Sequence, residues 1–135
     1  LSKEIGNNYP KNVSFLGFKE GQELKEYVKN ALFTIVPSEW YENNPMTIIE
    51  AYSVGTPVLG ARIGGIPEII IEDENGYQFE SANINDLKEK IIKVDSLPVE
   101  KYEALSWGTL VFANKYLNPE NYYLELMAFY KQFLK

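Results

Sequence analysis

The chain of 135 residues contains no cysteine and no histidine, and its only arginine is Arg62. Without cysteine there are no disulfides and no thiol chemistry, so the sequence leaves its redox compartment open. Without histidine the chain supplies neither a Ser-His-Asp triad nor a histidine metal site. That excludes many hydrolytic mechanisms unless another segment contributes the missing residue. No apolar run approaches the ~18 residues that a membrane-spanning helix needs. Low-complexity stretches and internal repeats are also missing. A net charge of −6 argues against nucleic acid as a partner.

What is present fits one ordinary domain with a real core: 45% of the residues are apolar and seven are proline. Leu1 to Tyr9 reads as the tail of a helix and a turn, and Val13 to Gly17 as a strand. Gly21 to Ala31 reads as a helix, with Leu24, Tyr27, Val28 and Ala31 at helical spacing. Leu32 to Val36 is a buried strand that stops at Pro37-Ser38. Pro57 to Gly60 is a second short strand, and Tyr77 to Phe79 a third, behind the turn Glu72 to Gly76. Arg62 to Ile70 begins as a glycine loop and becomes a short helix. Asn85 to Ser96, Glu100 to Lys115 and Pro119 to Phe133 are further helices. Alternating strands and helices predict an α/β fold with a parallel, Rossmann-like sheet and flanking helices.

The most informative stretch is Glu42-Asn43-Asn44-Pro45-Met46-Thr47-Ile48-Ile49-Glu50. Asn44 is a good N-cap, and Pro45 suits the first helical position, where its missing N–H costs nothing. Ile48, Ile49 and Tyr52 supply an apolar face, and Gly55 is placed to end the helix. One glutamate therefore lies in the loop before the helix and the other more than a turn inside it. Between them are backbone N–H groups with no partner in the helix, a natural seat for phosphate. The spacing suits a ligand with a diphosphate in the middle, a sugar at one end and a ribose at the other. In open parallel sheets ligands collect at the carboxyl ends of the strands, where the loop from Ser38 to Asn44 falls.

Other residues have plainer readings. Gly64-Gly65 is expected to be a turn pair chosen for positive φ. Glu68 is expected to support the helix that follows, and Arg62 to sit on the surface. Trp40 and Tyr41 are expected to pack against the sheet, with one of them lining a sugar pocket as the alternative. Tyr116, Tyr122, Tyr123, Phe129, Tyr130 and Phe133 read as core and domain-interface packing. Lys19, Lys25 and Lys29 form no patch.

Several of these features recur in a fixed order: Val36-Pro37-Ser38-Glu39-Trp40-Tyr41-Glu42, the Glu-x7-Glu spacing, Glu50-Ala51 with Gly55-Thr56-Pro57-Val58, Gly64-Gly65-Ile66-Pro67-Glu68, and Asn75-Gly76-Tyr77. In that order, from Val13 to Ile92, the set closely resembles the C-terminal, donor-binding domain of retaining glycosyltransferases of family 4, with the GT-B fold. The resemblance implies a nucleotide-diphosphate sugar as donor and transfer of its glycosyl group to an acceptor hydroxyl in polysaccharide or glycoconjugate synthesis. It implies that Glu42 contacts donor-sugar hydroxyls near the reacting carbon and is the catalytic-site residue. Glu50 would accept hydrogen bonds from the ribose, and the N–H groups of Met46 and Thr47 would bind the phosphates. It implies no metal ion and no cofactor besides the substrate, a cytoplasmic location, and membrane contact only through a missing N-terminal half that also holds the acceptor.

Three departures qualify it. The family often has glycine where Pro45 stands, so one phosphate contact is in question. Its basic residues for the diphosphate lie upstream, and the acceptor domain is not in this sequence. The expectation is therefore a truncated nucleotide-sugar-binding domain over residues 1–135, inactive alone. A strand at Val13 to Gly17 would then lack its usual neighbour: it pairs differently, another chain fills the gap, or the register is shifted. Alternatives in other classes are a GT-B-like sugar-nucleotide epimerase and a non-catalytic nucleotide-sugar-binding module.

Overall fold

Short runs with proline or glycine at one end (Pro37 after the first, Pro57 before the second, Gly76 opening the third) make the strands, and in the computed structural model the three pair in parallel in chain order. The structure describes residues 9–134. The elements are α1 (Gly21–Lys29), β1 (Thr34–Val36), α2 (Met46–Ser53), β2 (Val58–Ala61), α3 (Ile66–Ile69), β3 (Gly76–Phe79), α4 (Ile84–Asp95), α5 (Val99–Tyr116) and α6 (Pro119–Lys131). The sheet order is β1-β2-β3, with Thr34 opposite Val58 and Val58 opposite Gly76. All residues of β2 and β3 are buried. Both faces of those strands are covered, as a parallel sheet with helices on each side requires.

Side chains alternate across the sheet and build two cores. Val36 and Val58 pack with Ile48, Ala51 and Tyr52 of α2 and with Ile66 and Ile70. On the opposite face Leu59, Ala61, Tyr77 and Phe79 pack with Val94 and Leu105. Asn75, from the Asn-Gly-Tyr motif, is buried; it accepts from the Ile71 N–H (2.8 Å) and donates to the Ile69 carbonyl (3.1 Å), fastening the end of α3.

Four expectations need correction. Val13 to Gly17 is not a strand. No neighbour offers it a ladder, and Val13, Phe15 and Leu16 stay 41–47% exposed. The cap of α2 is Pro45, not Asn44, with φ −67° and ψ 117°, so the helix starts one residue later than expected. Trp40 and Tyr41 do not pack on the sheet; they are 82% and 88% exposed. The aromatic series is not core: α6 buries no residue, and Tyr116 is itself exposed. The expected helix tail at the start of the chain lies, but for Tyr9, outside the described residues. Among the described residues no helix is long and apolar enough to cross a membrane.

One core residue is incompletely satisfied. The Tyr52 hydroxyl is buried with no hydrogen-bond partner, while its ring packs edge-on to Phe112 at 5.6 Å. Tyr52→Phe keeps the ring and removes the orphan hydroxyl, and is expected to stabilise the fold by about 1 kcal/mol. Burial also raises the phenol's pKa above its ordinary 10.0. A raised folded-state pKa gives stability that is fully present below pH 10 and lost as pH rises beyond it. Urea titrations at neutral and alkaline pH check both points: the variant should gain at pH 7 and lose less above pH ~10.

Candidate functional site

Three loops meet at the carboxyl end of the sheet, and the loop after β1 lies at their centre. Gly64, with φ +58°, comes so close to this loop that a Cβ there would lie 2.5 Å from the Glu42 carbonyl oxygen and 2.8 Å from its nitrogen. The Gly65 N–H donates to the Glu42 carbonyl at 2.8 Å. A Cβ on Gly65 would fall on the Asn43 carbonyl oxygen, far inside contact distance. From the third loop, the Ser81 hydroxyl donates to the Ser38 carbonyl at 3.0 Å. Ser38 Oγ in turn donates to the Glu42 carboxylate. Glu42 is thus half-buried and held by main chain and side chain together.

Helix α2 begins directly beyond. No side chain caps it, and the Ile48 N–H turns back to the Pro45 carbonyl at 3.0 Å. Among the described residues no hydrogen bond engages the N–H groups of Met46 and Thr47, and both residues are exposed. The tip is open, as an anion seat requires. Its far end is closed tightly: Gly55, at φ +83°, donates to Tyr52 at 3.2 Å, and Thr56 donates to Ala51 at 3.0 Å, a Schellman arrangement. Buried Ile48, Ala51 and Tyr52 anchor the helix beneath.

Glu50 is on the exposed side of α2, where it lines a cavity of about 250 Å³ with Gly21, Leu24, Lys25 and Val28 of α1 and with Ser53 and Val54. Sequence reasoning did not single out Gly21, Leu24 or Lys25 for this place. The available signal is the amphipathic pattern of α1, which turns Leu24 and Val28 toward a neighbour. Arg62 is a surface residue, with Nε 3.4 Å from Gln78 Oε1 and a guanidinium nitrogen 3.9 Å from Glu80. Lys19, just before α1, pairs with Glu23 in its first turn.

A parallel α/β sheet with an uncapped helix tip and the Glu42 loop at its carboxyl end is a Rossmann-like arrangement, with Glu50 in the crevice beside α1. The sequence matches the profile described as glycosyl transferases group 1 over residues 4–109. The chain belongs to that family, and its fold is that of a GT-B C-terminal domain. It is 37% identical over 98 residues to an uncharacterized glycosyltransferase of Methanocaldococcus jannaschii, a match that covers 70% of this chain and 28% of that one. The C-terminal domain of the group 1 glycosyl transferase LpcC from Francisella tularensis superposes with a TM-score of 0.67 at 21% identity, covering 78% of this chain and 53% of that chain. Anabaena HepE in complex with UDP-glucose superposes with a TM-score of 0.68 at 22% identity, covering 77% of this chain and 28% of that chain.

Proposed function

We propose that this chain is the donor-binding part of a retaining glycosyltransferase, taking a nucleotide-diphosphate sugar along the start of α2. The open helix tip between Glu42 and Glu50 carries the reading. The N–H groups of Met46 and Thr47 receive the diphosphate, aided by the helix dipole. Glu50 accepts hydrogen bonds from the ribose diol, and the cavity it shares with α1 takes the base end of the nucleoside. Glu42 accepts from hydroxyls of the sugar near its anomeric carbon.

In the reaction the bond from C1 to the phosphate oxygen breaks and a bond from C1 to the acceptor oxygen forms, with retention at C1. The acceptor hydroxyl gives its proton to the leaving diphosphate, whose oxygen takes the electron pair of the broken bond. Negative charge grows on the leaving diphosphate, and fixed N–H donors stabilise that charge in the transition state. The acceptor, a glycan or glycolipid, is held by a facing domain, and the product is a polysaccharide or glycoconjugate. No metal ion takes part in this scheme. The fold of HepE, which holds UDP-glucose, supports the choice of donor class.

The test is calorimetric. Uridine and guanosine diphosphate sugars are titrated into the chain and into Glu50→Ala. Loss of the charged hydrogen bonds to the ribose is expected to weaken binding by about 1.5–3 kcal/mol. Affinity left unchanged in the variant removes the ribose role.

A further inference from the structure

Trp40 and Tyr41 stand directly before Glu42 and are 82% and 88% exposed. Other rings of the chain are as bare, Phe18 at 87% among them, but these two adjoin Glu42, and their exposure there calls for a reason. Looseness of the loop is not that reason. Gly64 and Gly65 clamp the main chain at Glu42 and Asn43, Ser81 holds the Ser38 carbonyl, and Ser38 holds the Glu42 carboxylate. The fold therefore fixes the loop backbone and presents two rings outward at the mouth of the site.

The surrounding chemistry narrows what the rings receive. The charged residues of this loop, Glu39 and Glu42, are both acidic, which disfavours a lipid headgroup or a nucleic acid strand. The nucleoside end of the proposed donor lies at the opposite end, in the cavity beside Glu50. A pyranose ring matches both halves of the set. Its hydroxyls donate around its rim to carboxylates, while the C–H bonds on its face, slightly positive, lie against the negative face of an aromatic ring.

We propose that Trp40 and Tyr41 form a stacking platform for a pyranose ring beside Glu42. This rests on the nucleotide-sugar reading above. The ring comes either from the donor itself or from the acceptor glycan, and the two are separable. In Trp107→Phe, Trp40 is the sole tryptophan, because the chain has two. This variant is titrated with UDP, UDP-glucose, GDP and GDP-mannose, and with maltotriose and laminaritriose in the presence of each nucleotide. Trp40 fluorescence and calorimetry are recorded together, with Trp40→Ala and Tyr41→Ala in parallel.

If the donor sugar occupies the platform, Trp40→Ala lowers nucleotide-sugar affinity about tenfold and leaves the affinity for the bare nucleotide unchanged. If the acceptor does, a free trisaccharide shifts Trp40 emission, and that response disappears in Tyr41→Ala or weakens severalfold. Nucleotide-sugar binding that neither substitution alters, with no trisaccharide response, overturns the platform and leaves the donor reading standing. Trp40 emission that changes with protein concentration alone assigns the rings to contact between copies and also overturns it. No binding of any nucleotide or nucleotide-sugar overturns both readings together.

Discussion

Gly65→Ala is expected to disable the site more completely than removal of either glutamate's neighbours. The residue has an ordinary φ of −83°, so backbone strain is not the issue. The new methyl group would land on the Asn43 carbonyl oxygen, with the Asn43 carbonyl carbon at 3.1 Å and the Glu42 carbonyl oxygen at 3.3 Å. Main chain cannot rotate away as a flexible side chain does. The loop has to move, and the bond from the Gly65 N–H to the Glu42 carbonyl goes with it. Overpacking of this kind costs about 1–3 kcal/mol of stability. The functional loss is larger in proportion, since a displacement near 1 Å of a positioning group can cost about a hundredfold. Gly17→Ala is the control: Gly17 has φ +70° but nothing within 4 Å of its added Cβ. It should lose about 1–2 kcal/mol for the backbone alone and keep its ligand. Thermal shift and calorimetry on both variants check the contrast. Equal ligand affinity in the two would show that the glycine clamp does not set the position of Glu42.

The clamp also shows what a sequence does and does not reveal. Positive φ at Gly64 is legible from glycine itself, but the close approach of Gly65 to Asn43 depends on two loops far apart in the chain. Helix α2 is legible because its signals are local: an apolar face, a glycine at the end, and a proline at the start. Its first residue is less so. A proline φ of −67° serves a cap and a first turn equally, and only ψ of 117° decides for the cap. The same ambiguity arises at α4, where Asn83 and Asp86 are both good cap residues. Asn83 Oδ1 accepts from the N–H groups of Asn85 and Asp86, while the Asp86 carboxylate turns back to the Glu80 N–H at 2.6 Å. Val13 to Gly17 carries the alternation of a strand, yet a strand is a property of a pair. β1 pairs with β2 alone among the described strands, and Ile35 in its middle is 42% exposed. Trp40 and Tyr41 mislead for a related reason. Aromatic rings signal burial on average, yet Trp40 and Tyr41 depart from it, as do Phe18, Trp107 and the rings of α6, because composition does not say which face of the chain a ring meets.

Glu42→Gln in a protein that carries both halves is expected to lower turnover by about 10²–10³ and to change nucleotide affinity little, if the carboxylate acts on charge that develops at the sugar. The substitution keeps the shape and one carbonyl acceptor, so Ser38 Oγ retains a partner and the loop keeps its fold. What it removes is a full negative charge in a half-buried position beside the proposed anomeric carbon. As the bond to the leaving diphosphate stretches, C1 gains positive character, and a fixed carboxylate favours that state over the ground state. In the proposed pose the nucleotide is held elsewhere, by the amides at the α2 tip and by Glu50, so its affinity is expected to stay within about twofold of the parent protein. Steady-state kinetics with calorimetry of the bare nucleotide separates the cases. A fall in turnover matched by an equal fall in nucleotide-sugar affinity would make Glu42 a ground-state binding group only, and a fall in bare-nucleotide affinity would mean that the α2 tip itself had moved.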